Sequence, residues 1–68
     1  MNFRIELEQE QDCRWIAEVI DIPGVLVYGK SREEAVLKAQ ALTLRVLTEG
    51  IDVGEVSSMP LTISFVAA

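Results

Sequence analysis

Four acidic side chains near the start of the chain are of the residue type that metal-assisted cleavage of a phosphodiester uses, although they have no signature spacing. Glu6 and Glu8 alternate in one predicted strand, and Glu18 and Asp21 lie in and just after the next one. Carboxylates on neighbouring strands can hold two metal ions about 4 Å apart. Acids at alternating positions are, however, far more often the solvent-facing side of a sheet, and the chain has no histidine. The pattern therefore favours a solvated face and predicts neither catalytic nor metal-binding residues.

The other reactive groups also predict a protein that is not an enzyme. Cys13 is the single cysteine, and without a histidine its thiol lacks the usual general base. The chain has no glycine-rich phosphate loop and no paired Cys/His spacing of a zinc site. We therefore expect no cofactor, and we expect Cys13 to be a reduced thiol in the turn between two strands.

The composition indicates a small acidic domain. The chain has 68 residues, half of them hydrophobic, and 11 acidic against 6 basic side chains. A chain of this size buries only about 60% of its unfolded surface, so we expect one domain, residues 1–68, that gains further burial in a homo-oligomer or with a partner. The negative charge favours a basic protein over nucleic acid as that partner. With no secretory signal and no apolar run long enough to span a bilayer, the sequence predicts a cytoplasmic protein.

The stretch from residue 21 to residue 35 specifies local structure most strongly. Pro23 fixes φ and Gly24 can adopt a positive φ, so residues 22–25 predict a type II turn. The apolar run 25–28 predicts a short strand that is covered on both faces. Ser31, followed three residues later by Glu34, predicts a capping box at the start of a helix.

Alternating hydrophobicity places two strands before this stretch. Phe3, Ile5 and Leu7 alternate with charged residues, which predicts a first strand with one buried and one solvated face. Residues 14–20 predict a second strand, paired with the first as a hairpin. Trp15 in the second strand and Tyr28 in the third are expected in the core, with a role as partner anchors as the alternative.

A helix and a last strand complete the order. The helix is predicted over residues 32–49, with Gly50 as its stop, and residues 50–60 indicate a connector. Alternation from residue 61 onward predicts the last strand. The order β-β-β-α-β predicts an α+β domain in which one helix packs on an antiparallel-rich sheet.

The predicted helix carries two apolar stripes. One stripe, flanked by Val36 and Leu47, is expected to face the sheet and consists of Ala35, Ala39, Leu42 and Val46. The second stripe lies well away from the first and consists of Leu37, Ala41 and Leu44. Because one sheet covers only one broad stripe, the second predicts a contact with another copy or a partner. The alternative is that the connector 50–60 folds back over it.

The ordered combination of these motifs resembles the HicB-type antitoxin family. The family has an apolar-Pro-Gly turn, a short hydrophobic strand, a glycine and then Ser/Thr-x-Glu-Glu-Ala at the start of a helix, here within residues 21–35. Residues 12–19 are similar to the family's second strand, 35–47 to its helix and 61–68 to its closing strand. The resemblance covers nearly the whole chain and implies a truncated ribonuclease H-like fold.

By this resemblance, the chain is expected to be an antitoxin of a bacterial toxin–antitoxin system. It would bind a small basic HicA-like toxin that cleaves mRNA, and neutralise it by masking the toxin's RNA-binding surface. Many family members carry a C-terminal DNA-binding segment, which we do not expect within residues 1–68. The residues expected to contact the toxin are Glu18, Asp21, Ile22, Pro23, Gly24 and Glu33.

A stand-alone oligomerisation or scaffold module of the same fold is the alternative. Its expected contacts between copies are Leu37, Ala41 and Leu44. Self-association without any partner would favour this alternative, and a stoichiometric small basic partner would favour the antitoxin. A carboxylate-dependent nuclease is the third class, which Mg²⁺-dependent RNA cleavage lost on substitution of Asp21 would favour.

Overall fold

One helix packed on a four-stranded mixed sheet makes up the described part of the chain. The computed structural model describes residues 1–52 and 62–67. The elements, in chain order, are β1 (Asn2–Gln9), β2 (Trp15–Val19), β3 (Leu26–Gly29), α1 (Arg32–Asp52) and β4 (Ser64–Ala67). The sheet order is β3-β2-β1-β4, in which β1 pairs antiparallel with β2, β2 antiparallel with β3, and β1 parallel with β4. The predicted α+β class and the order β-β-β-α-β are confirmed.

The face of the sheet beneath α1, which we call the covered face, holds the core. Strand residues point alternately to the two sides of a sheet, so the odd-numbered residues of β1 and β2 share this face. Its buried apolar residues are Phe3 and Ile5 of β1, Ala17 and Val19 of β2, and Val25 just before β3. Trp15 and Leu7 are partly buried against them, and Phe65 of β4 stacks on Phe3 with ring centroids 5.7 Å apart. The predicted buried face of the first strand is therefore confirmed, as is the core position of Trp15.

The start of α1 is fixed by a capping arrangement close to the predicted one. The Glu34 N–H donates to Ser31 Oγ at 3.0 Å, as a capping box requires. The Glu34 carboxylate accepts instead from the Lys30 N–H, at 3.2 Å. Gly29 lies directly beneath this turn, because a Cβ added to it would come 2.5 Å from the Ala35 nitrogen. A glycine at the end of β3 thus allows the helix to approach the sheet closely.

The far end of the helix differs from the prediction. α1 continues to Asp52, and Gly50 is a buried residue inside it rather than its stop. Gly24 is the glycine with a positive φ among the described residues, so Gly50 lacks the left-handed conformation that a glycine stop uses. Gly50 lies on the sheet-facing side of the helix, three residues beyond the buried Leu47.

The sheet-facing stripe of α1 is rotated slightly from its predicted position. Ala35 and Ala39 are buried as expected, but burial continues through Thr43 and Leu47, and Val46 is 37% exposed. Thr43 can be buried because its hydroxyl donates to the Ala39 carbonyl oxygen at 2.8 Å, which satisfies its polar atom. Because the buried stripe passes through Thr43 and Leu47, Val46 lies outside it, and the prediction that placed Val46 in the core stripe is wrong.

Two tight turns set the strand registers. Gly24 has φ of 87°, and the Val25 N–H donates to the Ile22 carbonyl oxygen at 3.3 Å, as in the predicted type II turn. In the β1–β2 hairpin, Cys13 adopts a φ of 71° and is exposed. The predicted turn position of Cys13 is confirmed. The predicted connector 50–60 is wrong for residues 50–52, which are helical, and its residues 53–60 lie outside the described part of the chain. The last strand begins at Ser64, whereas the prediction began it at residue 61.

Candidate binding face

The face of the sheet opposite α1, which we call the open face, carries side chains from all four strands. Among residues 1–52 and 62–67, no helix or strand packs over it. Its exposed large apolar side chains are Ile20, Leu26, Tyr28 and Val66. The prediction that the third strand is covered on both faces is therefore wrong, and so is the core position of Tyr28, which is 43% exposed. The apolar run predicted burial because a strand's own residues do not show how many layers the fold has.

Three carboxylates lie together on the open face. Glu6 of β1 is the direct register partner of Glu18 of β2, and Glu8 is the partner of Ile16. Together with Leu7, these residues line a shallow depression of about 310 Å³. Like charges at directly opposite positions of two strands destabilise a sheet. The fold therefore holds negative charge at this place at some cost in its own stability.

The described ion pairs do not include these carboxylates, although Arg4 lies on the same face of β1, two residues from Glu6. The ion pairs within that part of the chain are Arg14–Asp12 at 2.7 Å and Lys38–Glu34 at 3.2 Å. Arg14 also places its guanidinium 4.8 Å from the centroid of the Tyr28 ring, a cation–π geometry. Glu6, Glu8 and Glu18 are therefore available to a basic group supplied by another molecule.

Hydrogen bonds lower the pKa of Asp12 and of Glu34, the two carboxylates in the described ion pairs. The Arg14 N–H is the largest cause that lowers the pKa of Asp12, and the Arg14 guanidinium lowers it further. The Lys30 N–H lowers the pKa of Glu34, and the Lys38 ammonium adds to this effect. Hydrogen bonds to the charged form explain both directions.

Asp21 has a structural role that the sequence did not indicate. Its Oδ2 accepts a hydrogen bond from the Arg4 N–H at 2.8 Å, and the Ile20 N–H donates to the Arg4 carbonyl oxygen at 3.1 Å. The carboxylate thus extends the pairing between β1 and β2 past the end of the strand. Of the four acids considered for a nuclease, Glu6, Glu8 and Glu18 share the depression, while Asp21 bonds to the backbone outside its lining.

The residues expected to contact a toxin lie at both ends of β3. Glu18 is the register partner of Leu26 at the start of that strand. Asp21 and the exposed Pro23-Gly24 turn precede the strand at the same end, and Ile22 is half-buried. Glu33 is exposed in the first turn of α1, which follows the opposite end of β3. The fold therefore brings together the group at residues 18–24 and leaves Glu33 apart from it.

The second helical stripe lies on the solvent side of α1. Leu37 is 65% exposed and Leu44 is 45% exposed, with the exposed Ala41 between them. This matches the position expected for a stripe that the sheet does not cover. The residues of the predicted connector that could fold over it, 53–60, are outside the described part of the chain.

Sequence reasoning missed the apolar part of the open face. Ile16, Ile20 and Leu26 lie beside the acids, and the sequence did not indicate any of them as partner contacts. The available signal was the phase of each strand, because Ile16, Glu18 and Ile20 share one side of β2 when Ala17 and Val19 are buried. An apolar patch rimmed by charge is typical of a protein-binding surface.

Two further findings concern metal-binding groups and membrane spans. Among the residues that the structure describes, no group of three or more His, Cys, Asp or Glu side chains has the arrangement of a metal site. In the same part of the chain, no helix has the length and apolar character needed to cross a membrane.

Comparison of the chain with protein-family profiles, curated proteins and solved structures gives no match.

Proposed function

We propose that this protein is a HicB-like antitoxin that binds and neutralises a small basic HicA-like toxin. In this proposal the domain has a partial ribonuclease H-like fold and works in the bacterial cytoplasm, where the toxin cleaves mRNA. It forms a homo-oligomer, and it acts by covering the toxin's RNA-binding surface rather than by any reaction of its own. The observation that carries the proposal is the open face, where Glu6 and Glu18 face each other without a basic partner in the described chain.

The open face supports this function through charge and shape together. A surface that binds RNA is rich in lysine and arginine, because these side chains neutralise phosphates. Carboxylates held on a sheet attract the same side chains, so the protein and RNA compete for one surface of the toxin. Ile16, Leu26 and Tyr28, next to the acids, supply apolar area that RNA backbone lacks. The acids would steer the encounter, and the apolar contacts would slow dissociation.

The first test is capture of the partner. We expect the tagged chain to retain a small, strongly basic protein from its native host in stoichiometric amount. Purified chain added to that protein should suppress its cleavage of RNA in proportion to the amount of complex formed. Recovery of the tagged chain alone would contradict the antitoxin proposal.

A charge reversal locates the binding surface. Glu18→Lys places a positive charge in the depression, and we expect it to weaken toxin binding by at least about tenfold, or roughly 1.4 kcal/mol. Glu49→Lys, on the exposed side of α1, makes the same change in net charge away from the open face and serves as the matched control. Equal losses for both variants would show that only net charge matters.

Two further variants separate the expected contacts. Glu33→Lys tests the far end of β3, and an unchanged affinity would confine the surface to the open face and the Pro23-Gly24 turn. Asp21→Asn removes the charge but keeps an oxygen that can accept the Arg4 N–H. A loss of binding with unchanged stability would then assign Asp21 a contact in addition to its structural role.

The alternative function is a stand-alone oligomerisation or scaffold module. One observation favours it, namely the exposed stripe of Leu37, Ala41 and Leu44 on α1. Such a module would self-associate in the absence of any partner and would bind no toxin. Leu37→Glu would then abolish its assembly. Retention of a basic partner by Leu37→Glu would instead favour the antitoxin.

A further inference from the structure

The outer edge of β3 presents unpaired backbone groups. β3 is at one end of the sheet, and the Val19 N–H donates to the Val25 carbonyl oxygen at 3.0 Å. In an antiparallel pair, alternate residues direct both backbone groups to the neighbouring strand. Val25, Val27 and Gly29 therefore face β2, while the N–H and C=O groups of Leu26 and Tyr28 face outward. Among the described residues, the one group that meets them is the Lys38 ammonium, 3.2 Å from the Tyr28 oxygen.

We propose that this edge binds a second copy of the chain, so that two β3 strands pair antiparallel about a twofold axis at Val27. The proposal rests on the homo-oligomer of the proposed function and gives it a specific interface; its tests do not use the toxin, so it can fail without contradicting toxin binding. It joins two four-stranded sheets into one continuous sheet. It also differs from an interface along the solvent side of α1, since the contact is made by strand edges.

The register follows from which groups point outward. Leu26 and Tyr28 are two residues apart, so a twofold axis between them sets Leu26 opposite the partner's Tyr28, and Tyr28 opposite the partner's Leu26. Each pair exchanges two hydrogen bonds, as directly opposite residues of an antiparallel ladder do. On the open face, Leu26 and Tyr28 are 46% and 43% exposed in the single chain. In the pair they become cross-strand neighbours, and aromatic–aliphatic neighbours of this kind stabilise sheets.

The charges along the edge are complementary under the same symmetry. The end of β3 near Tyr28 carries Arg14, Lys30, Lys38 and Glu34. Because Arg14 pairs with Asp12 and Lys38 with Glu34, the positive charge left at this end is that of Lys30. The end near Leu26 is acidic, because Glu18 is the register partner of Leu26. An antiparallel pair sets the basic end of each copy against the acidic end of the other. A parallel pair would set like charges together, so the charge pattern selects the antiparallel arrangement.

The helices support the same arrangement. α1 packs mainly over β3 and β2, so with strands about 4.8 Å apart the two helix axes would lie about 10 Å apart, within the range of helix packing. Gly29 lies against Ala35, and two strand residues span the length of about four helix residues. The axis at Val27 therefore passes near residue 39 of α1. That sets Glu34 close to the partner's Arg45.

Lys38 at this edge is compatible with the pairing of two chains. A lysine at a strand edge discourages uncontrolled pairing, but the Tyr28 carbonyl oxygen has a second lone pair for the partner's N–H. A twofold interface also uses the same edge on both copies, and it leaves no β3 edge for a third.

Disulfide trapping tests the register. Val27 lies on the proposed axis at a pair whose Cα atoms are about 4.5 Å apart, within the range that a disulfide can bridge. In a Cys13→Ser background, we expect Val27→Cys to form a covalent dimer on mild oxidation. Ala41→Cys in the same background probes the exposed stripe of α1 and should remain monomeric on a non-reducing gel. Linkage through Ala41→Cys, or through neither variant, would overturn the proposal.

Sedimentation equilibrium tests the edge without any new cysteine. The chain has a mass of 7.5 kDa, and we expect a particle of twice that mass. Leu26→Lys should raise the dimer dissociation constant by at least about a hundredfold, because both copies lose an apolar contact at the edge. Val66→Lys makes the same type of change on the open face of β4, at the other edge of the sheet, and should leave the dimer intact. A monomeric parent chain, or equal effects of the two variants, would overturn the proposal.

Discussion

The two faces of the sheet are built from the same strands but follow different physical rules. On the covered face, Ile5 and Ala17 are fully buried and Val19 is 1% exposed. One residue further along each strand, Glu6, Glu18 and Ile20 are exposed. The covered face is composed for packing, with small residues of α1 against aliphatic strand residues. The open face mixes apolar groups with like charges that no described ion pair offsets.

This contrast separates residues that stabilise the fold from residues that do not. A face that only needed solvation would alternate opposite charges or polar β-branched residues, because such cross-strand pairs stabilise a sheet. The open face instead sets Glu6 opposite Glu18 and exposes Leu26 and Tyr28 beside them. Such a composition costs stability in the isolated chain and suits contact with another protein.

The largest expected effect comes from a substitution that displaces α1, the helix that packs on the covered face. Gly29→Ala adds a Cβ that would meet the backbone of Ala35 at 2.5 Å, so the start of α1 must move away from β3. We expect a loss of about 3 kcal/mol in the free energy of unfolding, at the upper end of overpacking effects. Urea denaturation measures the loss. Trp15, the single tryptophan and the register partner of Gly29, should show a shifted fluorescence maximum in the folded state.

Gly24→Ala is the control for this substitution. A Cβ at Gly24 meets nothing within 4 Å, but the residue has φ of 87°, so we expect a backbone cost of about 1–2 kcal/mol. Trp15 fluorescence should not change, because the helix stays in place. An unchanged Trp15 spectrum in Gly29→Ala would contradict the close approach of α1.

The same truncation on each face measures the difference between the faces directly. Val19→Ala opens a cavity on the covered face and should lower the free energy of unfolding by about 2 kcal/mol or more. Val66→Ala, at a residue that is 59% exposed on the open face, should change it by less than about 0.5 kcal/mol. Similar losses for the two variants would show that something covers Val66 in solution.

Local signals in the sequence predicted much of this fold. The Pro23-Gly24 turn, the Ser31 cap and the alternation of β1 depend on residues that are close in the chain, and each is found in the structure. The order of the elements then leaves few ways to place one helix on the sheet. The α+β class could therefore be predicted with no other information.

The errors arose where tertiary structure decides. Periodicity indicates that a helix has an apolar stripe, but it does not give the rotation of the helix to within one residue, which is why Thr43 rather than Val46 is buried. A glycine at position 50 predicts the end of the helix from local sequence, whereas Gly50 lies on the buried side of a longer helix. The exposure of Tyr28 depends on the number of layers in the fold, which the strand itself does not contain.

The candidate site was only half visible from the sequence for a similar reason. The solvated character of Glu6, Glu8 and Glu18 could be predicted from alternation, and these acids are exposed. Their grouping with Ile16 and Leu26 required the strand register, which hydrophobic patterns leave open until the turns are known. Neither the exposure of the acids nor the strand register specifies which partner binds.

A substitution on the open face is expected to increase stability. Glu18→Thr replaces one member of the Glu6–Glu18 pair with a residue that favours strands. Removal of the like-charge contact should raise the free energy of unfolding by about 0.5 kcal/mol, and it should weaken binding of the proposed toxin. Urea denaturation and a binding titration measure the two effects. A loss of stability would show that the open face is arranged for folding after all.

The smallest expected effect concerns the contacts of Glu34 with Lys30 and Lys38 at the first turn of α1. The Lys30 N–H, and next the Lys38 ammonium, lower the pKa of Glu34 from its ordinary value of 4.5. A carboxylate with a lowered pKa in the folded state stabilises that state above the unfolded pKa, and this contribution is lost as the pH falls through the folded pKa.

Glu34→Gln keeps a hydrogen-bond acceptor without the charge. Its deficit in urea midpoint should therefore be full at neutral pH and should disappear as the solution is acidified below 4.5. The deficit should be small because solvent reaches the side chain, which is 41% exposed. Glu33→Gln, at an exposed acid in the same helical turn, controls for the loss of charge. A deficit of Glu34→Gln that does not depend on pH would contradict the role of the ionised carboxylate.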